Sequence, residues 1–463
     1  MYKVDRTVIS PTTQPELCDY LQRLGLLSNS LYNASLFRVR QIFTGWDKPN
    51  RTDNEVEIFN ELDVLAKSFP NYIPQRKVIS YHQLEKLMRA TNNPDFFAGL
   101  PMQTAQNVVK QAVGDFKNWL ASLKEYKHSP DKYLGKPKMP HYKKKDGICT
   151  FTVSNQDAVL YPIVDKDTGE YRGMELKLPM VKTRLKLTHL PADAKLKEVK
   201  IMPYYGKYLL LLTFETKETI NSRTATNKAA IDFGIDNIAT IVTTNGSSKV
   251  YKGGAIISEN RLFAKEKAKA TAILTKGTKH KHAASKHLDY LSCKHDCFML
   301  DQLHKISRSI VDYCIAHEVG TLVIGKNINW KQEVNLGKVN NQNFVSIPHA
   351  KLEMLIRYKA ELEGIEVIVQ EESYTSKADV TVDDEMPVYT KGQKTADVSF
   401  SGRRLTRGLY RTASGLAINA DCNGAANILR KAYPDAWNTR TDFSFLAHPE
   451  SVNFKKLNER KHA

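Results

Sequence analysis

Asp232 in AAIDFGIDNIAT, Glu371 and Glu372 in IEVIVQEESYTSK, and Asp421 in LAINADCNGAANIL are the residues of this chain whose chemistry is most specific. Their oxygens suit hard divalent cations. Two magnesium ions held roughly 3.5–4 Å apart can activate water and stabilise charge on both oxygens of a phosphodiester under attack. Asp232, Glu371, Glu372 and Asp421 are therefore the candidate catalytic and metal-binding set. Taken singly each has a plainer reading: Asp421 as an N-cap or first-turn acid, Asp232 as a turn acceptor, the glutamates as surface. Gathered in space they would repel one another, so nothing structural is gained by clustering them unless a cation is bound.

The elements needed to bring such distant residues together can be read along the second half. AAIDFG, IATIVTT and KVYKGG are three short strands, the latter two parted by the turn-like Asn245-Gly246-Ser247-Ser248. A Lys/His-rich helical stretch follows, then the buried strand TLVIG, a helix through Leu352, Leu355, Tyr358 and Leu362, and the buried strand IEVIV. Strand, helix, strand at that spacing predicts a parallel crossover. Asp232 then lies mid-sheet, a glutamate ends a neighbouring parallel strand, and Asp421 starts a final helix over the same edge. A β-meander opening on a carboxylate is how ribonuclease-H-like folds begin.

In the first half, residues 1–10 alternate as a strand does, and Thr13-x-x-Glu16 predicts a capped helix start. Leu17, Leu21, Leu24, Leu27 and Leu31 continue it, and Val109, Val113, Phe116, Leu120 and Leu123 mark a second strong helix; both stripes read as core. From about Lys127 the chain turns to KYLGKPKMPHYKKKDG and then to β-like runs such as CTFTVS, LKLTHL, KEVKIM and KYLLLLTFETK. NSRTATN, residues 221–227, is a polar linker.

Composition points to a polyanionic partner. The 463 residues carry 68 Lys+Arg against 50 Asp+Glu, a formal charge of +18, and neutralising phosphates releases condensed counterions. A length near 460 suggests about three domains. Six cysteines without a disulfide rhythm favour a reducing, prokaryotic cytosol, and the longest apolar run, Tyr208 to Phe214, is far too short for a membrane span. Candidate nucleic-acid contacts are Lys136, Lys138, Tyr142, Lys143, Lys144 and Lys145 in the first half, Lys276, Lys279 and Lys281 in the Lys/His-rich stretch, Trp330 and Lys331, and Arg403 and Arg404. Each could equally be a solvated basic surface. Cys293, His295 and Cys297 in CKHDC stand at odd spacing for one zinc centre.

IDFGIDNIAT, LHKISRSIVDYC, LVIGKNINWKQ, YTSK and NADCNGAANIL together resemble the RuvC-type nuclease half of TnpB, the transposon-associated RNA-guided nuclease, and its relatives among compact type V CRISPR effectors. The likeness runs from about residue 228 to 430; before it, GKPKMPHYKKKDG is similar to the family's Gly/Pro/Lys-rich lead-in to a wedge domain. The resemblance implies a multidomain α+β protein: a ribonuclease-H-like (RuvC) α/β nuclease domain with a β-rich wedge domain and a helical recognition lobe. Its implied boundaries are 1–11 for the first wedge strand, 12–126 for the lobe, 127–222 for the wedge, 223–435 for the nuclease domain with an insertion at about 373–415, and 436–463 for a polar basic tail without fixed structure. It implies two Mg²⁺ ions and a guide RNA as cofactors, a double-stranded DNA target with a short flanking motif, and sequence specificity that resides in the RNA.

Two departures from the family are visible. The usual second acid ends the strand that reads TLVIG here, and the matching position is Gly325; Glu371 or Glu372, ending the adjacent strand about 5 Å away, is the candidate replacement. Residues 373–420 hold no cysteine, so no zinc knuckle is expected there, and Arg403, Arg404, Arg407 and Arg411 instead cluster on an expected hairpin. The alternatives are a nuclease-inactive, guide-directed DNA-binding repressor and a ribonuclease-H-like transposase.

Overall fold

The computed structural model describes residues 1–217, 219–220, 223–278, 284–326, 347–388, 399–453 and Leu457. The chain divides into two compact units, Met1–Glu218 and Thr219–Ala463. Among the described residues no helix is long and apolar enough to cross a membrane.

In the first unit, β1 (Tyr2–Ile9) pairs antiparallel with β7 (Lys207–Glu215), which pairs with β6 (Lys195–Tyr204) and through it β2 (Phe151–Ser154). Four helices lie between β1 and β2 in sequence: α1 (Pro15–Gly45), α2 (Asp53–Ser68), α3 (Tyr81–Ala90) and α4 (Met102–His128). The period-2 pattern of β7 turns Leu210, Leu212 and Phe214 into the core, where the α1 stripe Leu17, Leu21, Leu24 and Leu31 and the α4 stripe Val109, Val113 and Phe116 are also buried. A second sheet, β3 (Val159–Val164), β4 (Tyr171–Lys177) and β5 (Arg184–Leu187), completes the unit.

The expected Thr13 cap does not form. Pro15 is the first helical residue, Gln14 stands at the N-cap without a side-chain bond, and Glu16 accepts from Thr183 Oγ1 instead. Proline at N1 starts the helix one residue too late for the Thr13–Glu16 spacing. Capping boxes do occur at Thr52–Glu55 and Ser80–Gln83.

The second unit is built on a six-stranded sheet of order β12-β11-β8-β9-β10-β16. Its β8 (Asn227–Asp232), β9 (Asn237–Thr243) and β10 (Ser247–Lys252) form the antiparallel meander. Next come α5 (Gly254–Thr275) and α6 (Lys286–Ala316), then β11 (Val319–Gly325) parallel to β8, α7 (His349–Leu362), and β12 (Glu366–Gln370) parallel to β11. Alternate residues of the central strands serve two cores. Ile231, Ile241, Leu322 and Ile324 join α6 and α7 on one face; Ala230, Val242 and Val323 join α8 (Ala420–Ala432) on the other. That two-sided burial explains the near-continuous apolar runs of these strands.

Before α8, residues 403–419 form a small sheet of β13 (Arg403–Thr406), β14 (Leu409–Arg411) and β15 (Ala417–Asn419). The backbone leading into it is held by buried polar groups. Asp379 accepts from the Thr381 and Ala413 amides at 2.9 and 2.6 Å, and Asn423 and Asn427 of α8 both donate to Ala378 O. Arg430 of α8 donates to Asp384 O at 2.9 Å.

The expected unstructured tail is folded at its described residues. Trp437, Phe443 and Leu446 are buried against α8, Trp437 Nε1 donates to Ala426 O at 3.0 Å, and β16 (Glu450–Val452) adds a parallel edge to β10. Aromatic anchors at irregular spacing carry no periodicity for a sequence reading to detect.

Candidate functional site

Because β8, β11 and β12 run parallel, their carboxyl ends share one edge of the sheet. Asp232 is the last residue of β8. Gly325 ends β11 opposite Gln370, which ends β12, so Glu371 and Glu372 follow at once. Helix α8 packs over β8, β9 and β11 and brings Asp421 in its first turn. Asn419 is its N-cap, accepting from the Asp421 and Cys422 amides at 3.0 and 3.1 Å, so Asp421 is a first-turn acid with its carboxylate left for other partners.

Two glycines show how tightly these acids are seated. A Cβ on Gly424 of α8 would lie 2.8 Å from Asp232 Oδ2, so the helix backbone and this carboxylate come as close as a missing side chain permits. A Cβ on Gly325 would meet Ile428 Cδ1 at 2.4 Å and Glu372 Oε2 at 2.6 Å. The Glu372 carboxylate thus occupies the volume that a side chain at 325 would need.

The charges of the set act on one another. Asp232 is pushed well above the ordinary carboxylate range by burial first and then by the charges of Glu372 and Asp421, with Arg404 opposing. Burial, then Glu371, raises Glu372 to about 7, and Lys431 works against the rise. Burial also pushes Glu371 upward, but the bonds from Lys431 Nζ at 2.5 Å and the Ser373 amide at 2.7 Å outweigh it, leaving this acid below its usual value. The two glutamates therefore differ: Glu371 is tied to a lysine and a turn, while Glu372 faces Asp232. Asp421 Oδ2 accepts from Asn237 Nδ2 at 2.6 Å, and its Oδ1 from Arg404 Nη2 at 3.2 Å. Arg404 is steadied by Arg407 O, which accepts from its Nε at 3.0 Å, and Arg407 pairs with Asp236 at 3.1 Å.

Among the described residues, no three His, Cys, Asp or Glu side chains close on one point as a metal cage would. A hydrated magnesium ion asks less of a protein, keeping several waters and taking one or two carboxylates with the substrate's phosphate oxygens. Asp232, Glu372 and Asp421 fit it by donor chemistry: all are oxygen donors, and the repulsion recorded in the raised Asp232 is what a cation relieves.

The remaining predicted residues fall elsewhere. Arg403 is exposed on β13 opposite Arg411, and Lys276 is the exposed C-cap of α5. Lys136, Lys138, Tyr142, Lys144 and Lys145 are exposed in the first unit, whereas Lys143 turns its ammonium onto the Tyr32 ring, 3.8 Å from the centroid. Lys279, Lys281, Trp330 and Lys331 lie outside the described residues. In CKHDC, Cys293 is buried and Cys297 exposed, and His295 stacks on Phe263 at 4.1 Å. Sequence reasoning missed Gly424, Asn237 and Lys431. A glycine inside a helical pattern was the available signal for the first; the other two have none.

Two family models match: one described as "Probable transposase" (OrfB_IS605) over residues 212–331, and one as "Cas12f1-like, TNB domain" over residues 349–428. A TnpB-like protein, ORF457 of Acidianus two-tailed virus, is 27% identical over 212 residues, covering 44% of this chain and 41% of that protein. The match thus spans about two fifths of that relative's length. A cryo-EM structure of a Cas12f1–sgRNA–target DNA complex aligns at 16% identity and TM-score 0.31, covering 92% of this chain and 98% of that one. The Alicyclobacillus acidoterrestris C2c1 structure with single-guide RNA aligns at 8% identity and TM-score 0.36, covering 89% and 70%. By these sequence matches the chain is similar to TnpB proteins and to compact Cas12f-type proteins.

Proposed function

We propose that the chain is an RNA-guided, magnesium-dependent DNA endonuclease whose ribonuclease-H-like (RuvC) domain is the second unit, cutting double-stranded DNA that the guide RNA selects by pairing, beside a short flanking motif that the protein reads. The observation that carries this reading is Glu372 Oε2 in the volume vacated at Gly325, 2.6 Å from where a Cβ would stand. On this reading the acid that the family places at the end of β11 is supplied here from the adjacent strand. Asp232, Glu372 and Asp421 would hold the metal; Glu371 is a neighbour committed to Lys431.

Magnesium, when bound, supplies an activated water and neutralises charge building on the phosphate. The protein's own groups prepare the rest. Asn237 fixes the Asp421 carboxylate, Lys252 Nζ steadies Asn237 Oδ1 at 3.0 Å, and Lys431 prevents Glu371 from competing with Glu372. Arg404 extends a guanidinium beside Asp421, where it can reach a phosphate brought to the metal that these acids would hold.

The test is cleavage of a plasmid matched to the co-purified RNA. Asp232→Ala, Glu372→Gln and Asp421→Ala should each abolish cutting while Glu371→Gln cuts at a near-normal rate. If Glu372→Gln cuts normally, the relocated acid is refuted. A second reading, guide-directed binding without cleavage, is favoured by the lack of a closed three-acid cage among the described residues. Target-specific retention of DNA with no magnesium-dependent cutting by the wild type would establish it. Strand transfer of its own ends without any RNA would mark a transposase instead, and the A260/A280 ratio of the purified protein separates that case at once.

A further inference from the structure

The basic strap between α4 and β2 is anchored at several points on either side of its tip. At its start, Lys132 and Tyr133 both bond Glu125 of α4, at 3.1 and 2.9 Å, and the Tyr133 ring sits edge-on to Tyr126 at 5.7 Å. Further on, Trp119 Nε1 donates to Pro137 O at 3.2 Å, and Arg40 of α1 donates to Pro140 O while lying 4.7 Å over the Tyr142 ring. Asn33 and Asn29 then hold Lys143 O and Lys144 O at 3.0 and 2.8 Å. Between the first two anchors, Leu134 stands 104% exposed, and a Cβ on the adjacent Gly135 would meet nothing within 4 Å. Lys132, Lys136 and Lys138, all exposed, flank this tip.

A lone exposed leucine on a surface needs no explanation. This one is different in setting: it caps a loop held on both sides and stands beside the exposed Lys136 and Lys138, Lys132 being paired with Glu125, so those two lysines can meet phosphates while the apolar group is carried forward. Leucine is among the side chains that wedge between base steps, where bending or opening the duplex exposes an apolar cleft. We propose that Leu134 is a duplex-opening wedge, inserted at a base step of double-stranded nucleic acid, with Lys136 and Lys138 gripping the flanking phosphates. The inference rests on the guide-directed reading above and adds to it a site in the first unit where strand separation is helped mechanically. Lys143, turned onto Tyr32, is excluded from the phosphate contacts.

The experiment uses the full-length protein with its co-purified RNA and a matching duplex carrying 2-aminopurine near the flanking motif. One substrate is fully paired; the other is mismatched over the first few pairs so that it is already open. Leu134→Ser should slow the fluorescence rise on the paired duplex by roughly tenfold to a hundredfold, the range expected for losing one apolar side chain's burial. On the pre-opened substrate it should match the wild type, and Leu134→Phe should keep opening the paired duplex. Lys136→Ala/Lys138→Ala should flatten the salt dependence of binding by roughly two phosphate contacts. A paired-duplex rate unchanged by Leu134→Ser overturns the wedge, as does an equal loss on both substrates, which would mean a binding contact or a protein-facing surface. If the wild type neither opens the paired duplex nor pairs its RNA with the pre-opened one, the guide-directed reading has failed first.

Discussion

Replacing Gly424 by alanine should move stability and activity in opposite directions. At an interior position of α8 the added methyl favours the helix by roughly 0.5–1 kcal/mol, because glycine loses more backbone freedom on folding. Yet that methyl carbon would stand 2.8 Å from Asp232 Oδ2 and 3.7 Å from its Cγ, and meets no other group within 4 Å. Carbon and oxygen pack comfortably nearer about 3.3 Å, since optimal non-bonded contacts fall at roughly 3.5 Å. The carboxylate must therefore withdraw by about half an ångström. A misplacement of about 1 Å in a catalytic constellation can cost roughly 10²-fold, so about a tenfold fall in the single-turnover cleavage rate is expected at saturating magnesium. The assay pairs that rate with target binding and a thermal melt of the same preparation. Unchanged binding, a melt equal to or above wild type, and a tenfold slower cut are the expected outcome. A Gly424→Ala protein that cuts at the wild-type rate would refute the idea that Asp232 must sit against the α8 backbone.

Arg404→Ala should lower cleavage by roughly 10²–10³-fold, the scale for removing one charge-stabilising donor, and Arg404→Lys should recover little of it, because a lysine cannot reproduce the guanidinium fork that joins Asp421 to Arg407 O; single-turnover rates decide. Lys359 gives a pH test. Burial first, and then Arg308, depress it to about 8 from 10.5, while its ammonium donates to His304 O and Ser307 Oγ. The unfolded chain binds this proton more tightly, so the penalty is complete below pH 8 and relieved as pH rises toward 10.5. Denaturant midpoints of the wild type should therefore gain on those of Lys359→Met across that window, by no more than roughly 3 kcal/mol. Asp379→Ala should lose roughly 1–3 kcal/mol by leaving the Ala413 and Thr381 amides unsatisfied, seen as earlier proteolysis between residues 373 and 419.

Much of the second unit's architecture was legible because each of its elements carries its own period. The Leu322–Ile324 and Val367–Val369 runs, the Asn245-Gly246 turn and the Leu352–Leu355 spacing all report local geometry, and that geometry places Asp232 on a mid-sheet strand; that it closes the strand shows only in the structure. What sequence could not separate was Glu371 from Glu372. Strand parity ends at Gln370, and beyond it a turn closed by the Ser373 amide on Glu371 decides where each carboxylate goes. Lys431, sixty residues later, makes the distinction, and nothing local to the glutamates announces it. At Thr13 the local signal was present but overruled by Pro15. The β3–β4 pair escaped notice because β3 is apolar at nearly every position and carries Pro162, so no alternation marks it as a strand.

Gly325 has a consequence for how such chains are compared. Glutamate at 325 and glutamate at 372 claim the same volume, and Ile428 closes the remaining side. On the proposed reading, with the acid on the second strand, a single step back is blocked: a glutamate at 325 alone overfills the space, and deleting Glu372 alone empties it. The two positions would then be coupled, and the arrangement would act as a ratchet. Alignment columns follow the backbone, whereas a site of this kind is inherited as an occupied volume; a census of acids taken column by column would miscount it.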